Sequence, residues 1–276
     1  MKKQQKIRYY TDELIDDFGN PNHTRADVFH SFNYKRGGFP GFFDNMFYYC
    51  FAVPYLAMQA RFCGYRIVGK NNLKMLKHYV KTNKKGFFVM QNHAGIFDVI
   101  ENLMLGYPYR VNTVGNSDPL SMPVIRHLVR SLGFVPLPTN IKDLPAFQEI
   151  LRFYVVDQCQ GVSIFPEAHL WPGYTGVRNF KRSSFRYPAR FQCPVLPVFC
   201  QRRPRSKFVK FLHLRPRVTV YAGSLIYPDA NLDFKQNEKI MGDACYNFMK
   251  TITETMPHED NYKYVYAPKN EKEEEK

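Results

Sequence analysis

The stretch GFFVMQNHAGIFD, residues 86–98, passes from an unbroken apolar run into a polar turn that ends at an aspartate. The run GFFVM has the length and composition of a buried β-strand. After it, apolar residues recur at the i, i+3, i+4, i+7 spacing of an amphipathic helix over 95–105, namely Ile96, Val99, Ile100, Leu103 and Met104. A strand that leads directly into a helix is typical of an α/β fold.

The same alternation continues along the chain. Further short apolar runs predict strands at YRVNTVG (109–115), GFVPL (133–137), GVSIF (161–165), VLPVF (195–199) and RVTVYAG (217–223). Segments with helical spacing lie between or beyond them at 119–132, 143–158 and 235–255. This order predicts an α/β domain in which flanking helices cover a largely parallel sheet. Ligands bind beyond the carboxyl ends of the strands in such sheets, which is where Asn92 and His93 lie.

Length and composition favour one main domain. The chain has 276 residues, of which 45% are apolar, and this is enough for one substantial core. Its six cysteines form no C-x-x-C pair, and the N-terminus stays polar behind its first basic residues, so we expect no signal peptide and free thiols in a reducing compartment. We divide the chain into an N-terminal segment (1–62), the main domain (63–267) and a charged tail (268–276).

Positive charge is concentrated in one block. The formal net charge is +15, and twelve Lys or Arg with no Asp or Glu lie between Arg178 and Arg217. Such a block attracts phospholipid headgroups, the phosphates of coenzyme A, an acidic carrier protein or nucleic acid, although it could also be a solvated face. The sequence contains no helix-turn-helix, RNP or zinc-finger pattern, so we do not expect nucleic acid to be the partner.

Residues 45–60, NMFYYCFAVPYLAMQA, are sixteen uncharged residues between Asp44 and Arg61. A membrane-spanning helix needs about 20 apolar residues, and Pro54 interrupts this segment, so we do not expect a full span. Two interpretations stay open. The segment is either a helix that lies in the membrane interface or an ordinary buried helix of the core.

His93 and Asp98 have the spacing of a general base and the residue that orients it. A carboxylate that accepts from one ring nitrogen fixes the tautomer and leaves the other nitrogen free to take a proton. The chain has no G-x-S-x-G elbow and no Cys with a matching His pattern, so the nucleophile would be a hydroxyl of the substrate. Taken alone, the heptapeptide favours a simpler role, in which Asn92 caps the helix and Asp98 complements its dipole.

A second polar site follows another predicted strand. In SIFPEAHL (163–170) the apolar run ends at Pro166 and Glu167 comes next, so His93, Asp98 and Glu167 could share one crevice. A metal-dependent hydrolase that uses these three residues and His169 as ligands is an alternative, but their spacings match no standard metal motif.

Four ordered blocks resemble the glycerolipid acyltransferase family, which includes the lysophosphatidate and lysophospholipid acyltransferases. NHAGIFD is similar to its Asn-His-x4-Asp block, FPEA (165–168) to its Phe-Pro-Glu-Gly block, and FKRSSF (180–185) and PVLPV (194–198) to the two blocks that follow. YRIVGKNNL (65–73) resembles the strand that opens the domain. The resemblance covers about Cys63 to Glu254.

The resemblance implies that His93 is the general base, that Asp98 orients it, and that Glu167 and Lys181 belong to the substrate site. It also implies a thioester donor, acyl-coenzyme A or acyl-carrier protein, with no metal or bound cofactor. Residues 45–60 resemble the helices by which such enzymes dock on membranes, which implies a peripheral or monotopic protein on the cytoplasmic face, in contact with anionic lipids. The expected substrate-binding residues are Asn92, Phe165, Pro166, Glu167, Arg178, Lys181 and Arg182.

Two phosphate-binding arginines of the family are missing. GFVPLPT (133–139) has Pro138 and Thr139 near the position of one, and Leu170 stands at the position of the other. Either nearby cations (Arg178, Lys181, Arg182 or Arg186) replace them, or the acceptor is a different hydroxyl lipid. The sequence therefore predicts acyl transfer to a lysolipid, lysophosphatidate or another lysophospholipid above all, in phospholipid biosynthesis. A non-catalytic protein that binds anionic membranes is the further alternative.

Overall fold

The structure, a computed structural model, describes residues 6–19, 27–35, 38–95, 98–121, 126–203, 217–255 and 262–268. Its strands are β1 (Lys6–Tyr10), β2 (Arg66–Val68), β3 (Phe87–Gln91), β4 (Val111–Gly115), β5 (Phe134–Pro136), β6 (Gly161–Ile164), β7 (Val195–Arg203), β8 (Arg217–Ala222) and β9 (Tyr262–Tyr266). Its α-helices are α1 (Gly38–Phe47), α2 (Val53–Cys63), α3 (Lys70–Asn83), α4 (Asp98–Leu105), α5 (Asp118–Ser121), α6 (Arg126–Ser131), α7 (Leu144–Arg152), α8 (Arg186–Phe191) and α9 (Phe234–Thr255).

The main sheet has seven strands in the order β2-β8-β7-β3-β6-β4-β5. All neighbouring strands are parallel except β7 and β8, which are antiparallel. The predicted α/β fold with a largely parallel sheet is confirmed. All six strands expected from the apolar runs are present, and β2 adds a seventh at the start of the domain.

Strand β3 lies in the middle of this sheet and is buried on both faces. Phe88 and Met90 face one core layer, together with side chains of α7, α8 and α9. Phe87 and Val89 face the other layer, which contains Leu76 of α3 and further side chains of α3 and α4. Burial on both faces explains the continuous apolar run. It also places the turn after β3 at the centre of the carboxyl edge of the sheet.

The predicted helices are present with some differences at their ends. Helix α4 begins at Asp98, and Ile96 lies outside the described residues. The segment 235–255 is α9, and 143–158 is α7 continued by a π-helical turn over Phe153–Asp157. The segment 119–132 contains two short helices, α5 and α6, with residues 122–125 outside the described residues.

The N-terminal segment contains α1, a π-helical turn (Tyr48–Ala52) and α2 in direct succession. On its inner side, the buried Tyr48 packs with Val53 and Leu56 against Leu103 of α4. The Tyr48 hydroxyl accepts a hydrogen bond from the Val111 N–H (3.1 Å) and donates one to the Leu103 carbonyl (3.2 Å). These contacts fix the segment beside the helix that begins at Asp98.

The outer side of the same segment is apolar and exposed to solvent. We call it the outer apolar face, and it consists of Phe39, Phe42, Phe43, Met46, Phe51, Tyr55, Met58 and Phe62. One side of the segment therefore belongs to the core, as the second interpretation expected, and the other side is uncovered. The interpretation as an interfacial helix stays a prediction. Within the described ranges, no helix has the length and apolar character needed to cross a bilayer.

A second sheet joins the two ends of the described chain. Strands β1 and β9 pair in parallel, from Lys6 opposite Tyr262 to Tyr10 opposite Tyr266. We call this pair the terminal sheet. Residues 6–10, which we assigned to the N-terminal segment, therefore pair with the C-terminal part of the chain. Residues 269–276 of the predicted tail and residues 204–216 of the basic block lie outside the described residues.

The cysteines agree with the expectation of free thiols as far as they are described. Cys50, Cys159, Cys193, Cys200 and Cys245 form no disulfide. Burial raises the pKa of the Cys193, Cys200 and Cys245 thiols above the ordinary value. Raised pKa values leave these thiols protonated and unreactive, which is typical of structural cysteines.

Candidate active site

The turn between β3 and α4 brings His93 and Asp98 into direct contact. Asp98 Oδ2 accepts hydrogen bonds from the backbone N–H groups of Ala94 (2.8 Å) and Gly95 (2.7 Å) and lies 3.0 Å from His93 Nδ1. The carboxylate thus fixes the backbone of the turn and the imidazole ring together. Because Asp98 occupies Nδ1, Nε2 is the ring nitrogen that can take a proton from a substrate.

The His93 ring is held from a second side by Phe165. The two rings are stacked, with centroids 4.2 Å apart and an angle of 22° between their planes. The His93 side chain is 16% exposed, whereas that of Asp98 is 1% exposed. The imidazole is therefore partly accessible to solvent, and its carboxylate partner lies buried behind it. Phe165, predicted as a substrate-binding residue, supports the imidazole in this structure.

The Asp98 carboxylate is stabilised in its charged form. Burial alone would raise the pKa of Asp98, but the guanidinium of Arg202 and the hydrogen bonds from His93 and Gly95 hold this pKa below its ordinary value. Arg202 binds Asp98 Oδ1 and lies 3.5 Å from Glu101 Oε1. Sequence reasoning missed Arg202 as a site residue, because only the pairing of β7 with β3 brings it close to Asp98.

Glu167 is a buried link between the FPEA loop and the turn that carries His93. It accepts hydrogen bonds from Arg178 Nη2 (2.7 Å), Arg178 Nε (3.1 Å) and the His93 backbone N–H (3.3 Å). Its side chain is 1% exposed and that of Arg178 is 0% exposed. The Arg178 guanidinium also lies over the Trp171 ring, 4.7 Å from its centroid. The Glu167 carboxylate is therefore buried and holds the turn in place.

The loop after β6 is also bound to the turn through its backbone. The N–H groups of Trp171 and Gly173 donate to the carbonyls of His93 (3.4 Å) and Ala94 (2.9 Å), and the Lys181 N–H donates to the carbonyl of Pro166 (2.8 Å). Pro166 and Lys181 thus lie at the two ends of one closed loop. Lys181 itself is exposed at the edge of the site.

The N-terminal residues and the terminal sheet cover this loop. Trp171 Nε1 donates to the Asp16 carbonyl (2.7 Å), and the Trp171 ring is stacked on Tyr264 of β9, 4.8 Å between centroids. His169 Nδ1 lies 3.1 Å from Asp17 Oδ2. The ligand set of the metal-hydrolase alternative is therefore not assembled, since His169 and Glu167 pair with other residues. The described part of the chain contains no group of three or more His, Cys, Asp or Glu placed to hold a metal ion.

Three predicted substrate-binding residues have other partners. The Asn92 side chain makes two hydrogen bonds to the backbone of Cys200 in β7. Its Oδ1 accepts from the Cys200 N–H (2.7 Å), and its Nδ2 donates to the Cys200 carbonyl (3.3 Å). Arg178 is fully buried against Glu167, so this structure corrects the expectation that it grips a phosphate. Arg182 is exposed and lies 3.7 Å from Asp243 of α9.

The comparison with protein families agrees with the sequence blocks. The model of the family described as Acyltransferase matches residues 65–201, which contain all four blocks. Among solved structures, the chain is similar to the 1-acyl-sn-glycerophosphate (LPA) acyltransferase PlsC from Thermotoga maritima. The identity is 16% and the TM-score 0.46, over 80% of this chain and 98% of that chain. No curated protein matches the chain. The match of this family model over residues 65–201 shows that the chain belongs to the acyltransferase family.

Proposed function

We propose that this acyltransferase moves a fatty acyl group from a thioester, acyl-coenzyme A or acyl-carrier protein, to the hydroxyl of a lysolipid. The contact between His93 and Asp98, in a domain of this family, carries the proposal. Nε2 of His93 takes the proton of the acceptor hydroxyl while the hydroxyl oxygen attacks the thioester carbonyl carbon. The new ester bond forms, the C–S bond breaks, and the leaving thiolate takes the proton from the imidazolium.

The carbonyl oxygen becomes negative during this attack and needs hydrogen-bond donors. Our candidates are Lys181, exposed beside the Pro166 carbonyl, and backbone N–H groups of the neighbouring loop. The test of the reaction is purified protein with a panel of lysolipids and both donors, followed by mass spectrometry of the lipids. Vesicle binding without any thioester turnover would instead favour a non-catalytic membrane protein.

We propose an anionic lysolipid such as lysophosphatidate as the acceptor. The two phosphate-binding arginines of the family are absent, and Arg178 is occupied by Glu167. Lys181 and Arg182 remain as exposed cations beside the FPEA loop. Arg182 and Asp243 form an ion pair at 3.7 Å in which both side chains are exposed. Exposed ion pairs contribute little to stability, so the Arg182 guanidinium can also bind a phosphate.

Lys181→Ala with Arg182→Ala should raise the Michaelis constant for lysophosphatidate by about tenfold or more, since the loss of even one hydrogen bond to a charged phosphate costs about 1.5 kcal/mol or more. The value for an uncharged monoacylglycerol should change little. Steady-state kinetics with both acceptors measures this. Arg190→Ala is the matched control, because Arg190 is also an exposed cation of the basic block, on α8, and is not among the candidate phosphate-binding residues. Equal effects on both acceptors, or a wild type that prefers monoacylglycerol, would indicate a different hydroxyl lipid.

We further propose that the protein is peripheral or monotopic and acts at the cytoplasmic face of a membrane. The outer apolar face supports this, because eight exposed apolar side chains lie on one helical segment. The inner side of that segment is bound to α4, so docking would place the active-site helix near the lipid surface. Cations of the basic block would add attraction to anionic headgroups.

Replacing Phe39, Phe42, Phe51 and Phe62 by serine should abolish the part of vesicle binding that resists high salt, because salt screens charge but not apolar insertion. Sedimentation with anionic vesicles at low and high salt measures the two parts. Ile240→Ser is the control, since Ile240 is 53% exposed on α9, outside the outer apolar face. Substitution is preferable to deletion of the segment, because residues 6–18 cover Trp171. Unchanged salt-resistant binding by the folded variant would refute docking through this face.

A further inference from the structure

We propose that Arg202 is a positioning residue of the active site. Its guanidinium holds the Asp98 carboxylate in the orientation that binds His93, and its positive charge limits how strongly that carboxylate stabilises a protonated imidazole. The inference rests on the proposed role of His93 as general base. It assigns a task to a cation of the basic block that lies 104 residues after Asp98 in sequence.

Arg202 reaches Asp98 from the neighbouring strand. It lies at the carboxyl end of β7, and β7 pairs directly with β3, the strand that leads to His93. Nη2 binds Asp98 Oδ1, while Oδ2 of the same carboxylate binds His93 and the turn. The two carboxylate oxygens are thus divided between a fixed cation and the imidazole. Arg202 is only 13% exposed, so this contact is shielded from solvent.

Gly95 leaves the space that this contact needs. A Cβ atom at Gly95 would lie 2.6 Å from the guanidinium carbon of Arg202 and 2.7 Å from its Nε. Such distances are shorter than carbon and nitrogen atoms tolerate, so any side chain at this position would displace the guanidinium. Gly95 of the turn NHAG thus lies directly against the Arg202 side chain that contacts Asp98.

The surrounding charges explain the effect on the base. Asp98 and Glu101 are both on the first turn of α4, and Arg202 is in contact with both, so the formal charges of the three side chains sum to minus one. Among the described residues, Tyr65 before β2 and Cys200 on β7 are further titratable groups that interact with this cluster. Burial is the main cause that raises the pKa of both the Tyr65 hydroxyl and the Cys200 thiol, so both groups stay neutral. Glu167 faces the His93 backbone, but Arg178 neutralises it.

Without Arg202, the cluster behind His93 would carry two negative charges. A second negative charge would stabilise the imidazolium form of His93 and so raise the pKa of this ring in the variant. The base would then stay protonated, and therefore inactive, up to a higher pH. The carboxylate would also lose the contact that orients Oδ1. Arg202 thus offsets the charge of the adjacent Glu101 carboxylate, so that His93 is next to the same net charge as in a simple Asp–His pair.

The experiment compares Arg202→Met with Arg202→Lys. In Arg202→Met, the acid limb of kcat/KM for thioester turnover should move to higher pH by about one unit, the lower end of the effect of a nearby charge. Arg202→Lys keeps the charge, so this limb should stay near that of the wild type while kcat falls because the fixed planar contact is lost. Arg152→Met is the matched control, since Arg152 also pairs with two carboxylates, Glu149 and Asp157, but on the surface of α7. It should leave the profile unchanged.

Gly95→Ala provides a second route that removes no charge. The added methyl group should displace the guanidinium of Arg202 from Asp98, so the acid limb should move in the same direction as in Arg202→Met. This variant tests the inference even if Arg202→Met folds poorly. Folded Arg202→Met and Gly95→Ala that both keep the profile of the wild type would overturn it.

The inference can also be tested without turnover. An NMR titration of histidine-labelled protein, with the His93 signal assigned from His93→Gln, follows the protonation of the ring directly. The midpoint should move to higher pH in Arg202→Met. If the wild type shows no thioester turnover but this shift is present, the proposed reaction fails while the role of Arg202 stands. If turnover is present and the midpoint does not move, only the role of Arg202 fails.

Discussion

His93→Ala should reduce thioester-dependent acyl transfer by about 10² to 10⁴-fold, the usual contribution of a general base. Without Nε2, no group at the end of β3 can take the proton of the acceptor hydroxyl as it attacks the carbonyl. The His93 side chain is 16% exposed and lies outside the hydrophobic core, so its removal should not disturb the core. Initial rates of thiol release with a lysolipid acceptor measure the loss, and circular dichroism checks the fold.

His78→Ala is the control for this variant, because His78 is exposed on α3 and contacts none of the site residues described above. Asp98→Asn should reduce the rate by an equal or smaller factor, since an amide at this position favours the wrong tautomer of the imidazole. A folded His93→Ala protein with near wild-type turnover would exclude His93 as the base and with it the proposed mechanism.

Arg178→Met should lower the free energy of unfolding by about 3 to 5 kcal/mol, because it leaves the Glu167 carboxylate buried without a counter-charge. Both side chains are almost fully buried, and the pair joins the FPEA loop to the turn of His93. Urea unfolding measures this change. We expect turnover to fall as well. Without Arg178 the Glu167 carboxylate is no longer held in the position where it accepts the hydrogen bond from the His93 N–H.

The double variant Glu167→Gln with Arg178→Met should recover a large part of this stability, because removal of both charges leaves no buried ion unpaired. Arg152→Met, which breaks exposed ion pairs, should cost less than about 1 kcal/mol. A cost for Arg178→Met no larger than that for Arg152→Met would mean that Arg178 is accessible to solvent. In that case the original expectation, that Arg178 binds a phosphate, would be restored.

The sequence predicted those parts of the fold that depend on local patterns. The continuous apolar run of β3 and the helical spacing after it indicated a strand, a turn and a helix, and the structure has all three. The contact between His93 and Asp98 was predictable because the two residues flank one short turn. The four ordered blocks indicated the family for the same reason, since each block is short and its residues are adjacent.

Features that depend on strand order or burial could not be predicted. Arg202 meets Asp98 only because β7 lies beside β3 in the sheet, and spacing along the chain carries no sign of this. The sequence did not indicate that Arg178 is buried, because its burial depends on Trp171 and on the N-terminal residues that cover Trp171. Strands β1 and β9 are short, partly exposed and mixed in polarity, so neither one alone predicts that they pair.

The terminal sheet has a consequence for the order in which the protein folds. Lys6 and Tyr262 can pair only after the last strand of the main sheet, β8, has left the ribosome, because Tyr262 follows β8 in the chain. Domains begin to fold during synthesis from the N-terminal side, and contacts between distant residues form late. We therefore expect the nascent chain to assemble its seven-stranded sheet while the Trp171 ring still lacks its stacking partner Tyr264.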